Sequence, residues 1–143
     1  MSKLKKLIEE NKLEDKIVLK GMLPPEKLPD IAVKARAGVA IAENTGLNQW
    51  LALPNKFFDY IHAGLPQVTM NFPEYRKINN EFEVAVLINS TEPEEIAKAV
   101  NNLLTDDVLY QKLRNNCMAA RKVFCWQNEE KKLLSFYQTV FES

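Results

Sequence analysis

Ala37-Gly38-Val39-Ala40-Ile41-Ala42 is a small, apolar run with no alternation, the pattern of a strand buried on both faces. A polar loop from Glu43 to Leu53 follows it. Then comes Pro54-Asn55-Lys56-Phe57-Phe58-Asp59-Tyr60-Ile61-His62-Ala63-Gly64, with Pro near its start and Gly at the C′ position, which predicts a helix over 54–63. Pro66-Gln67-Val68-Thr69-Met70 reads as a strand that carries its proline at the first position, where a strand tolerates one. Strand, helix and strand in this order predict a parallel pairing with a helical crossover.

The same reading extends to both sides. Leu4, Leu7, Ile8 and Leu13 recur at helical spacing, predicting an amphipathic helix over 2–12. Lys16-Ile17-Val18-Leu19-Lys20-Gly21 predicts a short strand and turn. Glu26 to Arg36 reads as a short helix with Pro29 in its first turn. Downstream, Pro73 to Asn80 predicts a helix and Val84 to Ile88 a buried strand. Thr91 and Glu94 have capping-box spacing with Pro93 beside them, predicting a helix that runs to about Leu104. Two further helices, Asp107 to Phe124 and Gln127 to Phe141, bracket Cys125-Trp126. The expected class is α/β: about four mainly parallel strands, helices on both faces, and a helical last third, in one domain over residues 1–143.

Composition narrows the function. With 143 residues, 46% hydrophobic and 27% charged, the chain has the profile of one globular domain. Nineteen basic residues balance nineteen acidic ones. No basic excess points to nucleic acid or an anionic membrane as partner, and no run reaches the ~20 apolar residues of a membrane span. The first residues hold no long apolar stretch, so no signal peptide is expected. Cys117 and Cys125 form no CxxC or Cys/His cluster. They predict no zinc site and read as reduced thiols of a cytoplasmic protein.

Between Ala37 and Tyr75, Lys56 is the sole Lys or Arg, and His62 is the sole His of the chain. Ligands of open α/β sheets bind at the carboxyl ends of strands, so loop 43–53 and the start of helix 54–63 are the expected site. At about 100° per residue, Asn55, Lys56, Asp59 and His62 share one arc, with Phe57, Phe58 and Ile61 opposite. A cation in a helix's first turn is disfavoured by ~0.3–1 kcal/mol. An anion bound there reverses the sign and gains backbone N–H donors. Lys56 therefore reads either as a phosphate ligand or as a solvated lysine offset by Asp59 at i+3. His62 reads as a structural histidine. Asn44-Thr45-Gly46 is neither a Walker loop nor a GxGxxG turn.

Leu53-Pro-Asn-Lys-Phe-Phe-Asp-Tyr-Ile-His-Ala-Gly-Leu-Pro66 closely resembles the "LPNK-aliphatic-FEY-aliphatic-x-x-GLPVV" segment of a subgroup of family 4 glycosyltransferases. Other pieces agree in order: Val18-Leu-Lys-Gly21, Ala37-Gly-Val-Ala-Ile41, Phe72-Pro-Glu-Tyr75, Ala85-Val-Leu-Ile88, Glu92-Pro-Glu-Glu-Ile-Ala97 and Phe124-Cys-Trp126. The resemblance implies the GT-B fold, two Rossmann-like lobes with a nucleotide-sugar donor on the C-terminal one, and glycosyl transfer, usually with retention and without a required metal. It implies no cofactor beyond the donor as substrate. By position, Asp59 matches the Glu that holds the donor ribose, one methylene shorter, and Leu51 stands where the family often has a second Glu. Gly21, Met22 and Leu23 match the loop that meets the base, and Gly46, Leu47 and Asn48 the loop over the donor phosphates and sugar. With Asn55 these are the expected donor-binding residues, and Lys56 the expected catalytic one, stabilising the leaving phosphate.

Against the family pattern, the sequence has no match to the N-terminal acceptor lobe, to the first two strands of the C-terminal lobe, or to the Arg/Lys pair that neutralises the diphosphate. In the strand order 3-2-1-4-5-6, those two strands lie between the Val18 strand and the Ala37 strand. The expectation is an incomplete Rossmann-like lobe, truncated at its N-terminal side. It would be inactive alone and would either self-associate or take its missing lobe from a partner. Two other readings stand beside it: a non-catalytic nucleotide-binding or assembly module, and a fragment of a sugar-nucleotide epimerase. A single histidine weighs against the epimerase.

Overall fold

The computed structural model describes residues 3–142. Among them, three parallel strands form one sheet: β1 (Gly38–Ala40), β2 (Gln67–Met70) and β3 (Ala85–Ile88), in the order β1-β2-β3. The register pairs Val39 with Val68 and Val68 with Val86. The helices are α1 (Lys3–Glu10), α2 (Leu28–Ala32), α3 (Leu47–Trp50), α4 (Asn55–Ala63), α5 (Pro73–Phe82), α6 (Pro93–Thr105), α7 (Asp107–Val123) and α8 (Trp126–Phe141). The partial Rossmann-like α/β class read from the sequence holds, with helices packed around a parallel sheet. None of these helices is long and apolar enough to cross a membrane.

The central strand β2 is buried along its whole length. Helix α4 rests on β1, α6 on β2 and β3, and α7 joins α4, α5 and α6. The apolar periodicity of α7 explains this: Leu113, Cys117 and Ala120 lie on one stripe and are fully buried. Two glycines permit the close approaches. Gly64 ends α4 in the left-handed region at φ 65°, and a Cβ there would stand 2.9 Å from the Met118 sulfur. A Cβ on Gly38 would meet the Tyr60 ring at 2.6 Å, so the ring of α4 lies directly on the β1 backbone. Arg36 pairs with Asp107 and stacks 3.7 Å over the Tyr110 ring, tying the end of the α2 segment to α7.

Three expectations are corrected. Residues 16–20 are not a strand. Val18 is 73% exposed, and no backbone group of residues 18–20 has a partner among the described residues. A β-branched run gains strand structure by pairing, not by intrinsic preference, and no strand lies beside this one. The outer edge of β1 is likewise unpaired, so the sheet has three strands rather than four. The Glu26–Arg36 helix begins as a 3₁₀ turn over Pro25–Lys27 and its α-helical part stops at Ala32. The polar loop 43–53 contains the one-turn helix α3, whose Trp50 packs 5.1 Å from Phe72.

Cys117 lies in α7 and Cys125 in the break before α8; both are free thiols. Burial pushes the Cys117 thiol up to about 12. Iodoacetamide at pH 8 should therefore label Cys125 and leave Cys117 untouched in the folded protein, with both labelled in urea, as peptide mass spectrometry would read. Urea unfolding should also separate the unpaired segment 16–20 from the core. Ile61→Ala, at a fully buried position, should cost ~2–5 kcal/mol, whereas Val18→Ser should stay within ~0.5 kcal/mol of the parent.

Candidate functional site

Because β1 and β2 are parallel and α4 connects them, α4 runs back against the strands. Its first turn therefore stands at the carboxyl edge of the sheet. Pro54 is the N-cap and supplies no side-chain hydrogen bond. The Phe57 amide bonds the Pro54 carbonyl at 3.0 Å, which leaves the Asn55 and Lys56 amides as open donors. Asn55, Lys56, Asp59 and His62 are all exposed, and Phe57 and Ile61 are buried, as the helical arc requires. His62 donates from Nε2 to the Phe124 carbonyl at 2.7 Å, a contact that ties α4 to the end of α7.

The arc divides at its first turn. Lys56 and Asp59 border a cavity of about 250 Å³ whose walls are apolar, with Leu28 and Ile31 of α2 facing Tyr60. Asn55 instead borders a separate cavity of about 490 Å³. Burial raises the Tyr60 hydroxyl above the ordinary phenol range; a hydrogen bond with the Val39 backbone opposes this, and the Asp59 carboxylate adds to it. Tyr60 is thus a neutral wall beside a charged pair.

The other expected site residues stand elsewhere. Gly46 precedes α3, and Leu47 and Asn48 are its first residues; all three are exposed on the loop leaving β1. Trp50 against Phe72 holds this loop to the residues that follow β2. Gly21 has φ 66° in a turn, Met22 is fully exposed, and neither they nor Leu23 border either cavity. The structure brings Lys56 and Asp59 together, sets Asn55 on the neighbouring flank, and leaves Gly21–Leu23 apart. No group of three or more His, Cys, Asp or Glu placed to hold a metal ion occurs among the described residues.

The model of the family described as glycosyl transferases group 1 matches residues 1–122. The chain belongs to this family. A search of curated proteins found none that matches. The matched region of the group 1 domain runs from α1 to the last turn of α7 and includes all of α4, whereas Phe124, Cys125, Trp126 and Glu129 of the second cavity lie beyond it.

Sequence reading missed a polar cluster at the same edge of this domain. Asn71 and Asn89 directly follow β2 and β3, and their side chains bond each other at 2.9 Å. Arg76 reaches back to the Asn71 side chain and carbonyl, each at 2.8 Å. The signal was an Asn immediately after each of two buried strands. The predicted Thr91/Glu94 capping box is also displaced. Glu92 is the N-cap of α6, which makes Glu95 the N3 residue. Its carboxylate accepts from the Asn89 amide at 2.8 Å, and from the Ser90 amide at 3.1 Å and hydroxyl at 2.7 Å.

The Asn89 amide first, and then the Ser90 hydroxyl, hold Glu95 below its ordinary value of 4.5. A carboxylate depressed in the folded state contributes stability above its unfolded pKa and loses it as pH falls through the folded one. Stability should therefore decline from about pH 4.5 downward, and Glu95→Gln should flatten that acid limb by lowering stability at pH 7, the difference from the parent shrinking as pH falls. Thermal melts across pH 3–7 would test this.

Proposed function

We propose that this chain provides the nucleotide-sugar donor site of a retaining, family 4-type glycosyltransferase. The observation that carries the reading is the uncapped first turn of α4. It offers two free amides and the Lys56 ammonium at the carboxyl edge of a domain whose family transfers glycosyl groups. The amides and the helix dipole favour a diphosphate there, and Lys56 neutralises charge that grows on the leaving diphosphate as the glycosidic bond breaks. Asp59, on the same rim, is placed to accept hydrogen bonds from ribose hydroxyls. The apolar cavity beside it suits the flat face of a base, and its 250 Å³ is room for part of a nucleotide-sugar, below the ~300–1,000 Å³ typical of whole-ligand pockets.

Transfer also requires an oriented acceptor. In complete members of the resembling family the N-terminal lobe supplies this, so the activity belongs to the assembled two-lobe enzyme and donor binding to this chain. Calorimetry with UDP, GDP and the corresponding monophosphates tests the assignment. One diphosphate should bind more tightly than its monophosphate, weaken as salt rises, and lose roughly tenfold in affinity in Lys56→Ala, the scale of one charge-assisted contact. Equal affinities for the parent and Lys56→Ala would remove Lys56 from the site.

A further inference from the structure

Helix α8 has 16 residues, none of them buried, and it lies beyond the residues that match the group 1 family. Its sequence is nevertheless patterned for burial. At about 100° per residue, Trp126, Leu133, Leu134, Phe136, Tyr137 and Phe141 fall within an arc of about 160°. Gln127, Lys131, Ser135 and Gln138 fall on the opposite side. A stripe this wide is what a helix turns towards a core, yet no described element covers it: Phe136 is 62% and Phe141 82% exposed. Tyr137 lies 5.8 Å from the Phe136 ring and 6.0 Å from the Phe141 ring, so the three rings form one continuous surface. The six side chains together expose on the order of 700 Å², more than the ~300–600 Å² of the largest apolar patch on a typical monomer. Such a face marks a contact with protein or with a membrane.

The charges of α8 choose between the two. A helix that lies on a membrane carries Lys and Arg along its polar face and keeps its apolar face free of charge. Here Lys131 and Lys132 are balanced by Glu129 and Glu130, and the Lys132 ammonium is already bonded to Glu129 at 2.6 Å. Both acids fall inside the apolar arc, where a bilayer would force them among acyl chains. A second copy of the helix suits them better. All four charges sit in residues 129–132, and residues 133–141 carry none, so the two halves of the helix complement each other end for end. An antiparallel pair centred between Leu133 and Leu134 sets Glu130 of one copy opposite Tyr137 of the other, whose hydroxyl donates to the carboxylate. It also sets Trp126 opposite Phe141, and the two helix dipoles oppose. A parallel pair would instead stack Glu129 and Glu130 on their own copies, with like charges in contact.

We infer that two copies of this chain pair through α8, antiparallel, with Leu133 and Leu134 at the twofold axis and the aromatic side chains packed to either side of it. One surface then serves both partners, as a twofold dimer requires. Covering the arc would bury on the order of 700 Å² on each copy, close to the ~800 Å² per partner of a standard interface. Lys56 and Asp59 lie on α4, so pairing and donor binding stand or fall separately.

Sedimentation velocity on the whole chain would test it. A monomer–dimer equilibrium should appear between about 1 and 100 μM, the weak end for an interface of this size. Leu133→Ser and Phe136→Ser should each raise the dimer dissociation constant about tenfold or more with thermal melts like the parent's, because both side chains are exposed in the monomer. Lys131→Ser, on the opposite side of the helix, should leave it unchanged. Nitroxides attached to Cys125, the N-cap of α8, should stand roughly 25 Å apart in the dimer, the axial offset of an antiparallel pair at a rise of 1.5 Å per residue. A separation under about 15 Å would mean parallel helices and overturn the arrangement. A monomer at every concentration up to about 100 μM would overturn the pairing itself. So would a dimer that neither serine substitution weakens, which would place the contact elsewhere, for example at the open edge of β1. A chain that stays monomeric and binds mixed phosphatidylcholine–phosphatidylglycerol vesicles, losing that binding in Phe136→Ser, would assign the face to lipid instead.

Discussion

Two buried polar side chains on the central strand hold the architecture in register. Gln67 and Thr69 are both fully buried on β2. The Gln67 amide donates to the Phe57 carbonyl of α4 at 3.0 Å, and the Thr69 hydroxyl donates to the Ala40 carbonyl of β1 at 2.8 Å. A polar group so deep in a core costs stability unless it is bonded. The placements of α4 and β1 are therefore coupled to the one strand that pairs with both others. The Gln67 carbonyl oxygen remains without a partner, a local cost carried by the rest of the core. Because Phe57 sits between Lys56 and Phe58, the bond to its carbonyl also sets how far α4 is rotated, and so which side chains of its first turn face each cavity.

That rotation is reinforced from the other side. Tyr60 lies on the bare backbone of Gly38, and Phe57 makes edge contacts with Phe58 and Tyr75 at 5.7 and 5.1 Å. Interiors pack too tightly to allow a helix held this way to turn. The exposed arc is thus a by-product of core packing: the apolar positions choose the angle, and the polar ones inherit a fixed bearing towards the carboxyl edge.

The α4 helix, β2 and β3 were legible within one or two residues because each announces itself locally. Pro and Gly punctuate α4, and the strands are unbroken apolar runs. The placing of Lys56 and Asp59 on one rim followed from helical geometry alone. Residues 16–20 were misread because their apolar character is genuine but their pairing depends on a neighbour that local sequence does not reveal. The displaced cap at Glu95 came from Pro93, which fixes the start of α6 one residue later than the Thr91 spacing suggests. The Trp126 cavity was beyond reach for a different reason: its walls come from α4 and α8, about seventy residues apart in the chain, and only the α7 packing brings them together. The motif Phe124-Cys125-Trp126 was visible, but not what it faced.

The division of the α4 first turn between two cavities also governs how the gene can change length. A residue gained or lost in the exposed loop ahead of α4 can be taken up by the one-turn α3 segment, since little there is buried. The same event inside α4 would rotate all that follows by about 100°, carry Asp59 away from Lys56 and drive a polar side chain into the place of Ile61. Natural length variation should accordingly gather before Pro54 and be purged between Asn55 and Gly64, as a reading frame is kept within an exon.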